Sequence, residues 1–154
     1  MFKKIIIVPF LWCFFSVQVL AALPQSIGPY VEVNAGSNND FNLAINANVG
    51  YKINDFLAVE GGGQAYANED DNHYLFDFAI KGIIPFSTGW DVFAKFGAAE
   101  AHGCSRFEPV IYYGAGVGYS FTQNLTGLLQ WTATSENNGV KAPVLLLIGL
   151  NYIF

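Results

Sequence analysis

From Phe41 to Ile53 the chain reads FNLAINANVGYKI, with Phe41, Leu43, Ile45, Ala47, Val49, Tyr51 and Ile53 at the odd positions. The even positions hold Asn42, Ala44, Asn46, Asn48, Gly50 and Lys52, all small or polar. Successive side chains on a strand point to opposite faces, so this alternation predicts one strand with an apolar and a polar face. It is longer than the ~5–6 residues usual in soluble domains. A tilted membrane strand of ~9–11 residues suits it better.

Turn signals divide the remaining chain at regular intervals. Tight ones fall at Asn54-Asp55, Ser87-Thr88-Gly89 and Gln123-Asn124, and longer polar ones at Ser37–Asp40, Ala67–His73, Ala101–Glu108 and Ser135–Lys141. Between them eight strands are predicted: Tyr30–Gly36, Phe41–Ile53, Phe56–Tyr66, Tyr74–Phe86, Trp90–Ala99, Val110–Phe121, Leu125–Thr134 and Val144–Phe154. Short and long connections alternate, as in barrels with short periplasmic turns and longer outer loops.

The direction of each face decides between a soluble and a membrane barrel. Gly36, Gly50, Gly62, Gly97, Gly114, Gly116 and Gly118 lie on the polar face, together with Asn34, Asn46, Asn48, Gln64, Gln130, Thr132 and Asn151. A narrow eight-stranded interior admits few large side chains, so small residues alternating with polar ones place this face inward. Val31, Val33, Leu57, Val59, Phe76, Phe78, Ile80, Val92, Phe96, Leu129, Ile148 and Leu150 then face lipid. Tyr51, Phe86, Trp90, Tyr119, Phe121, Tyr152 and Phe154 fall beside the short turns or the C-terminus, and Phe41, Phe76, Tyr113 and Trp131 near the long loops. Two aromatic belts match the two interfaces of a bilayer. Leu145 and Leu147 break the alternation in the last strand and are expected to find packing partners inside the barrel.

The start of the chain reads as an address. Lys3 and Lys4 precede the apolar run Ile5–Phe15, and Val19, Ala21 and Ala22 supply small residues for cleavage after Ala21 or Ala22. Those are the parts of a secretory signal peptide. Residues 1–21 are therefore expected to be removed, leaving an outer-membrane β-barrel domain over 22–154 with Cys104 as its one thiol.

Composition narrows the function. The 154 residues are 53% apolar and 12% charged, with 7 Lys plus Arg against 12 Asp plus Glu. That balance offers no basic stripe for nucleic acid. On the inward face Glu32, Glu60, Asp77 and Asp91 share one interior with Lys52, Lys81 and Lys95. Charges in a narrow lumen must pair or stay wet, and adjacent strands allow Glu60 with Lys81 and Asp77 with Lys95. This polar network reads as a structural plug, or alternatively as a gate.

The segments GPYVEVNAG (28–36), VGYKINDFLAVEGG (49–62), WDVFAKFGAAEA (90–101), YYGAGVGYSFTQNLTGLLQW (112–131) and IGLNYIF (148–154) resemble the small eight-stranded outer-membrane barrels related to the OmpA barrel and OmpX. The resemblance implies an all-β, antiparallel, up-and-down transmembrane barrel in a Gram-negative outer membrane, preceded by a cleavable signal peptide. It implies that Tyr152 and Phe154 form the signal read by the barrel-assembly machinery. It also implies a non-enzymatic, monomeric membrane protein contacting outer-membrane lipid, with a structural, envelope-integrity, adhesion or host-interaction role at its outer loops. A narrow ion or small-solute channel gated by lumenal salt bridges is the alternative, and a lipid-modifying enzyme the third reading.

Catalytic chemistry finds little support in these residues. His102, Ser105 and Glu100 lie close in sequence, but a nucleophile and base need a defined geometry. TATSENNG at 132–139 has Ser135 but lacks the His-x-Ser pair of the lipid A deacylases that the fold resembles. NEDDN at 68–72 lacks the Gly and terminal Glu of a calcium loop. His102 with Cys104, and Asp70 and Asp71 with His73, fall short of a four-ligand set. No residue is therefore assigned to catalysis, a cofactor or a metal.

Overall fold

The computed structural model describes residues 25–67, 72–102, 108–135 and 144–154. Eight strands follow one another as β1 (Gly28–Asn38), β2 (Leu43–Asn54), β3 (Leu57–Ala67), β4 (Asn72–Ser87), β5 (Trp90–His102), β6 (Glu108–Ser120), β7 (Leu125–Thr134) and β8 (Val144–Ile153). Each pairs antiparallel with its neighbour in sequence, and β8 pairs with β1 to close the barrel. Closure matters because a lipid-exposed strand edge would leave backbone groups with no water to bond. At the seam Tyr30 stands opposite Ile153, and the Phe154 amide donates to the Pro29 carbonyl at 2.9 Å.

The alternation along the chain becomes the two surfaces of the wall. Val33, Ile45, Val49, Phe76, Phe78, Ile80, Phe96, Ile148 and Leu150 are exposed outward, whereas Asn34, Asn46, Asn48, Gln64, Gln130, Thr132 and Asn151 are buried inside. An outward face so apolar is stable only against lipid hydrocarbon. Trp90 and Tyr119 face each other across β5 and β6 with ring centroids 4.8 Å apart, and Tyr119 meets Phe121 edge-on at 5.3 Å. With Tyr152 and Phe154, also edge-on at 5.3 Å, they form the belt at the short-turn end. Tyr113 and Trp131, 5.7 Å apart, belong to the opposite belt.

Four predicted strand residues, Phe41, Asn42, Phe56 and Phe121, lie instead in connections. Phe41 is outside β2, 91% exposed, with φ at 61°. Asn38 sets that turn: its Oδ1 accepts from the Asp40 and Asn42 amides at 3.0 and 2.9 Å. A side-chain oxygen that bonds its own neighbouring amides competes with strand pairing. Phe121 lies in the β6–β7 turn, where the Thr122 hydroxyl accepts from the Asn124 and Leu125 amides. That turn spans 121–124, as long as the β1–β2 connection at 39–42, so connection length alternates less strictly than predicted. The two-residue β4–β5 turn places Gly89 at φ 81°, a conformation that glycine adopts without Cβ strain.

Val49 lies in β2 on the lipid-facing surface and is 65% exposed. Val49→Arg is expected to lower folding stability in phospholipid vesicles by about 2–4 kcal/mol, the cost of a mid-bilayer cation, while Val49→Leu leaves it unchanged. Equilibrium denaturant unfolding, followed by the heat-shifted band of the folded barrel, measures both.

Candidate functional site: a clasped ion cluster in the lumen

The inward residues build the interior in layers. Counted from the short-turn end, Tyr30, Ala58, Ile83, Phe93, Leu128 and Ile153 form an apolar layer. The next inward positions on β1, β3, β4 and β5 are Glu32, Glu60, Lys81 and Lys95, all buried. Beyond them, toward the long-loop end, Leu75, Ala79, Ala99 and Tyr112 pack together, as do Ala44, Leu145 and Leu147. A charged layer therefore lies between apolar ones.

Register sets a problem that Glu32 solves. Lys81 and Lys95 stand directly opposite each other on β4 and β5. Like charges in that position repel. Glu32, from β1 on the far side of the barrel, reaches across: its Oε2 accepts from Lys81 Nζ and its Oε1 from Lys95 Nζ, both at 2.9 Å. Lys95 also meets Glu60 Oε1 at 2.7 Å. The ring of Phe93 lies beneath both ammonium groups, 4.2 Å from Lys81 and 5.6 Å from Lys95. Its negative face adds attraction where the two cations crowd.

The remaining valences of the carboxylates are largely filled. Glu32 Oε1 also accepts from Asn34 and Gln130, each at 3.0 Å, and Glu60 Oε2 accepts from the Tyr30 hydroxyl at 2.8 Å. Asn34, Asn46 and Asn48 continue as a chain of amide bonds from Glu32 to Glu60. Charge pairing plus added hydrogen bonds is the condition under which buried ions can be tolerated.

Glycines make the room. Tyr30 stands opposite Gly50, Asn34 opposite Gly149, Asn48 opposite Gly62, Asp91 opposite Gly118, Phe93 opposite Gly116 and Lys95 opposite Gly114. A Cβ at Gly62 would fall 2.0 Å from Asn48 Oδ1, and one at Gly118 2.6 Å from Asp91 Oδ1. Each of these six side chains lies over a partner that has none.

The pairings expected from adjacent strands are corrected here. Lys81 binds Glu32 rather than Glu60, and Lys95 binds Glu32 and Glu60 rather than Asp77. Long side chains cross the narrow lumen, so the nearest carboxylate belongs to a strand remote in sequence. Asp77 instead accepts from Gln64 Nε2 at 3.3 Å. Lys52 and Asp91 sit at the short-turn mouth, where Gln25 accepts from Lys52 at 2.7 Å and donates to Asp91 at 3.2 Å. Lys52 also lies 3.8 Å from the exposed Asp55. Beside them is a cavity of about 30 Å³ lined by Gln25, Lys52, Lys81, Asp91 and Asn151, among others.

Sequence reasoning passed over Tyr30, Leu75, Ile83, Phe93, Tyr112 and Ile153 as lumenal residues because they are apolar or aromatic. Strand phase carried the signal: Phe93 lies midway between the inward Asp91 and Lys95. Tyr152 and Phe154 face outward, and the intervening Ile153 is buried. His73 stacks on Tyr66 with centroids 5.4 Å apart. His102 closes β5 opposite Tyr74 in the backbone register, and Glu100 is exposed. Residues 1–21, Asp70, Asp71, Cys104 and Ser105 lie outside the described residues.

The outer membrane protein beta-barrel domain model matches residues 11–154, and the chain belongs to that family, placing it in the Gram-negative outer membrane. The N-terminal barrel of Pseudomonas aeruginosa OprF superposes with TM-score 0.69 at 15% identity, over 84% of this chain and 98% of that one. Yersinia pestis Ail, solved in a phospholipid bilayer nanodisc, gives 0.60 at 11% identity over 84% and 100%. Neisserial surface protein A gives 0.54 at 18% over 82% and 97%. No curated protein matches the sequence.

Glu32 is 0% exposed and holds two cations. Glu32→Gln is expected to cost about 3–5 kcal/mol, because Lys81 is left buried without its counter-ion. Adding Lys81→Met should recover part of that loss. Equilibrium unfolding of the two variants in lipid checks the direction and the rescue.

Proposed function

We propose that this outer-membrane barrel is a closed, non-enzymatic structural protein of the envelope that presents its outer loops to a partner. The carrying observation is the filled lumen, in which the Glu32–Lys81–Lys95–Glu60 cluster is locked between apolar layers. An interior packed with paired ions and apolar side chains serves stability and leaves the loops as the surface for recognition. Ail has been solved in complex with the heparin analogue sucrose octasulfate. A polyanion of that kind is disfavoured here, since the connections between strands at the long-loop end carry Asp40, Glu69, Asp70, Asp71 and Glu136 against Arg106 and Lys141. The favoured partner is a basic host or envelope surface.

In this reading residues 1–21 direct export and are removed, the chain works as a monomer, and the final strand addresses the assembly machinery. Support for the last point is the outward exposure of Tyr152 and Phe154 on the strand that closes the barrel. A gated channel is the second reading. It is favoured by Lys95 lying between two carboxylates, an arrangement in which partners can exchange.

Purified protein in planar bilayers is expected to show no stable conductance steps. Steps that disappear in Lys81→Met would establish the channel instead. Deleting Phe154 is expected to leave the protein unassembled in the periplasm, as read by cell fractionation and loss of the heat-shifted band. Normal assembly without Phe154 would remove the assembly role.

A further inference from the structure

A second bridge crosses the lumen at its short-turn mouth, and it comes from outside the barrel wall. Residues 25–27 precede β1 and pair with no strand. The Gln25 side chain turns into the mouth. Its Oε1 accepts from Lys52 Nζ at 2.7 Å, and its Nε2 donates to Asp91 Oδ2 at 3.2 Å and to Ser120 Oγ. Lys52 is on β2, Asp91 on β5 and Ser120 on β6. In a closed ring of eight, β2 and β6 are four strands apart and stand on opposite walls. One carboxamide therefore joins the two walls over the opening.

A carboxamide suits that place because it carries both an acceptor and donors without adding charge. It meets a cation on one wall and a carboxylate on the other. With Gln25 in position, Lys52 and Asp91 are buried. The cavity beside them, about 30 Å³ and lined by Lys52, Lys81, Asp91 and Asn151, has room for about two waters. Among the described residues the segment has one further polar tie: the Ser26 amide donates to the Gln123 carbonyl of the β6–β7 turn at 3.0 Å. None of these bonds belongs to the strand ladder, so all can break while the eight strand pairings stay.

We propose that residues 25–27 are a strap, latched by Gln25, that closes the short-turn mouth and releases as a unit while the barrel stays folded. A segment held by a few bonds outside the ladder opens at a much lower free energy than the strands of the core. Release exposes Lys52, Asp91 and the cavity to periplasmic water, and leaves Lys52 beside the exposed Asp55, 3.8 Å away. The layer of Tyr30, Ile83, Phe93 and Leu128 still closes the lumen beyond. The open form is a charged vestibule and not a pore, which separates the strap from a gated channel. It acts at the end of the barrel opposite the outer loops, so the strap and the loop-presentation role can each fail alone.

The test uses the full barrel in phospholipid nanodiscs, where both mouths meet solvent. Acylation by a water-soluble amine reagent, mapped by mass spectrometry, reads Lys52, and hydrogen exchange followed by NMR reads the Ser26 amide. Gln25→Ala should raise the Lys52 rate by on the order of tenfold, the factor given by loss of one charge-assisted hydrogen bond. Ser26 protection should fall with it, while the amides of β1–β8 keep theirs. Lys52→Met should loosen Ser26 in the same way, which keeps the test decisive if Gln25→Ala does not fold. Ser26 protection unchanged in either folded variant would overturn release as a unit, even with faster acylation of Lys52. An unchanged Lys52 rate in Gln25→Ala would overturn the latch. Loss of protection throughout β1 in Gln25→Ala would also overturn the proposal, since the segment would then be part of the wall.

Discussion

The clasp of Glu32 on Lys81 and Lys95 is the interaction around which the interior is organised. Two lysines face each other across a strand pair in a narrow, water-poor lumen, an arrangement that would push the wall apart. One carboxylate from the opposite wall turns that repulsion into a cross-brace. The amide chain from Asn34 to Asn48 and the Tyr30 hydroxyl then hold the two carboxylates in place. The barrel is thus tied across its diameter as well as around its circumference by the backbone ladder.

That brace depends on residues with no chemistry of their own. Several large side chains lie in the lumen over partners with no side chain, glycine standing opposite Tyr30, Asn34, Asn48, Phe93 and Lys95. The same glycines that would weaken a soluble strand are tolerated because lipid and closure hold the wall. Leu145 and Leu147, apolar at inward positions of β8, pack with Ala44 in an apolar layer at the long-loop end. The filled interior and the lipid-facing exterior are two consequences of one alternation.

The strands and their facing were legible before any coordinates. Asn46, Asn48, Lys52, Glu60 and Lys95 lie on the inward side as the period of two requires, and Val33, Val49 and Phe78 on the outward side. Phe41 and Phe121 were misplaced because their hydrophobicity continued the pattern while Asn38 and Thr122 diverted the backbone by local hydrogen bonds. The lumenal aromatics Phe93 and Tyr112 were hidden for the opposite reason: their apolar character masks an inward phase set by their neighbours.

Alternation, turn residues and belt aromatics are local properties of the chain, and they determined by themselves an eight-stranded membrane barrel with a polar inside. The ion pairs are a property of the closed barrel. Closure brings β1 across from β4 and β5, and flexible lysines choose the carboxylate nearest through space. Glu32 therefore binds cations 49 and 63 residues away in sequence. Strand adjacency pointed instead to Glu60–Lys81 and Asp77–Lys95. Only the tertiary structure could decide between them, because register and barrel diameter are set by the whole sheet at once.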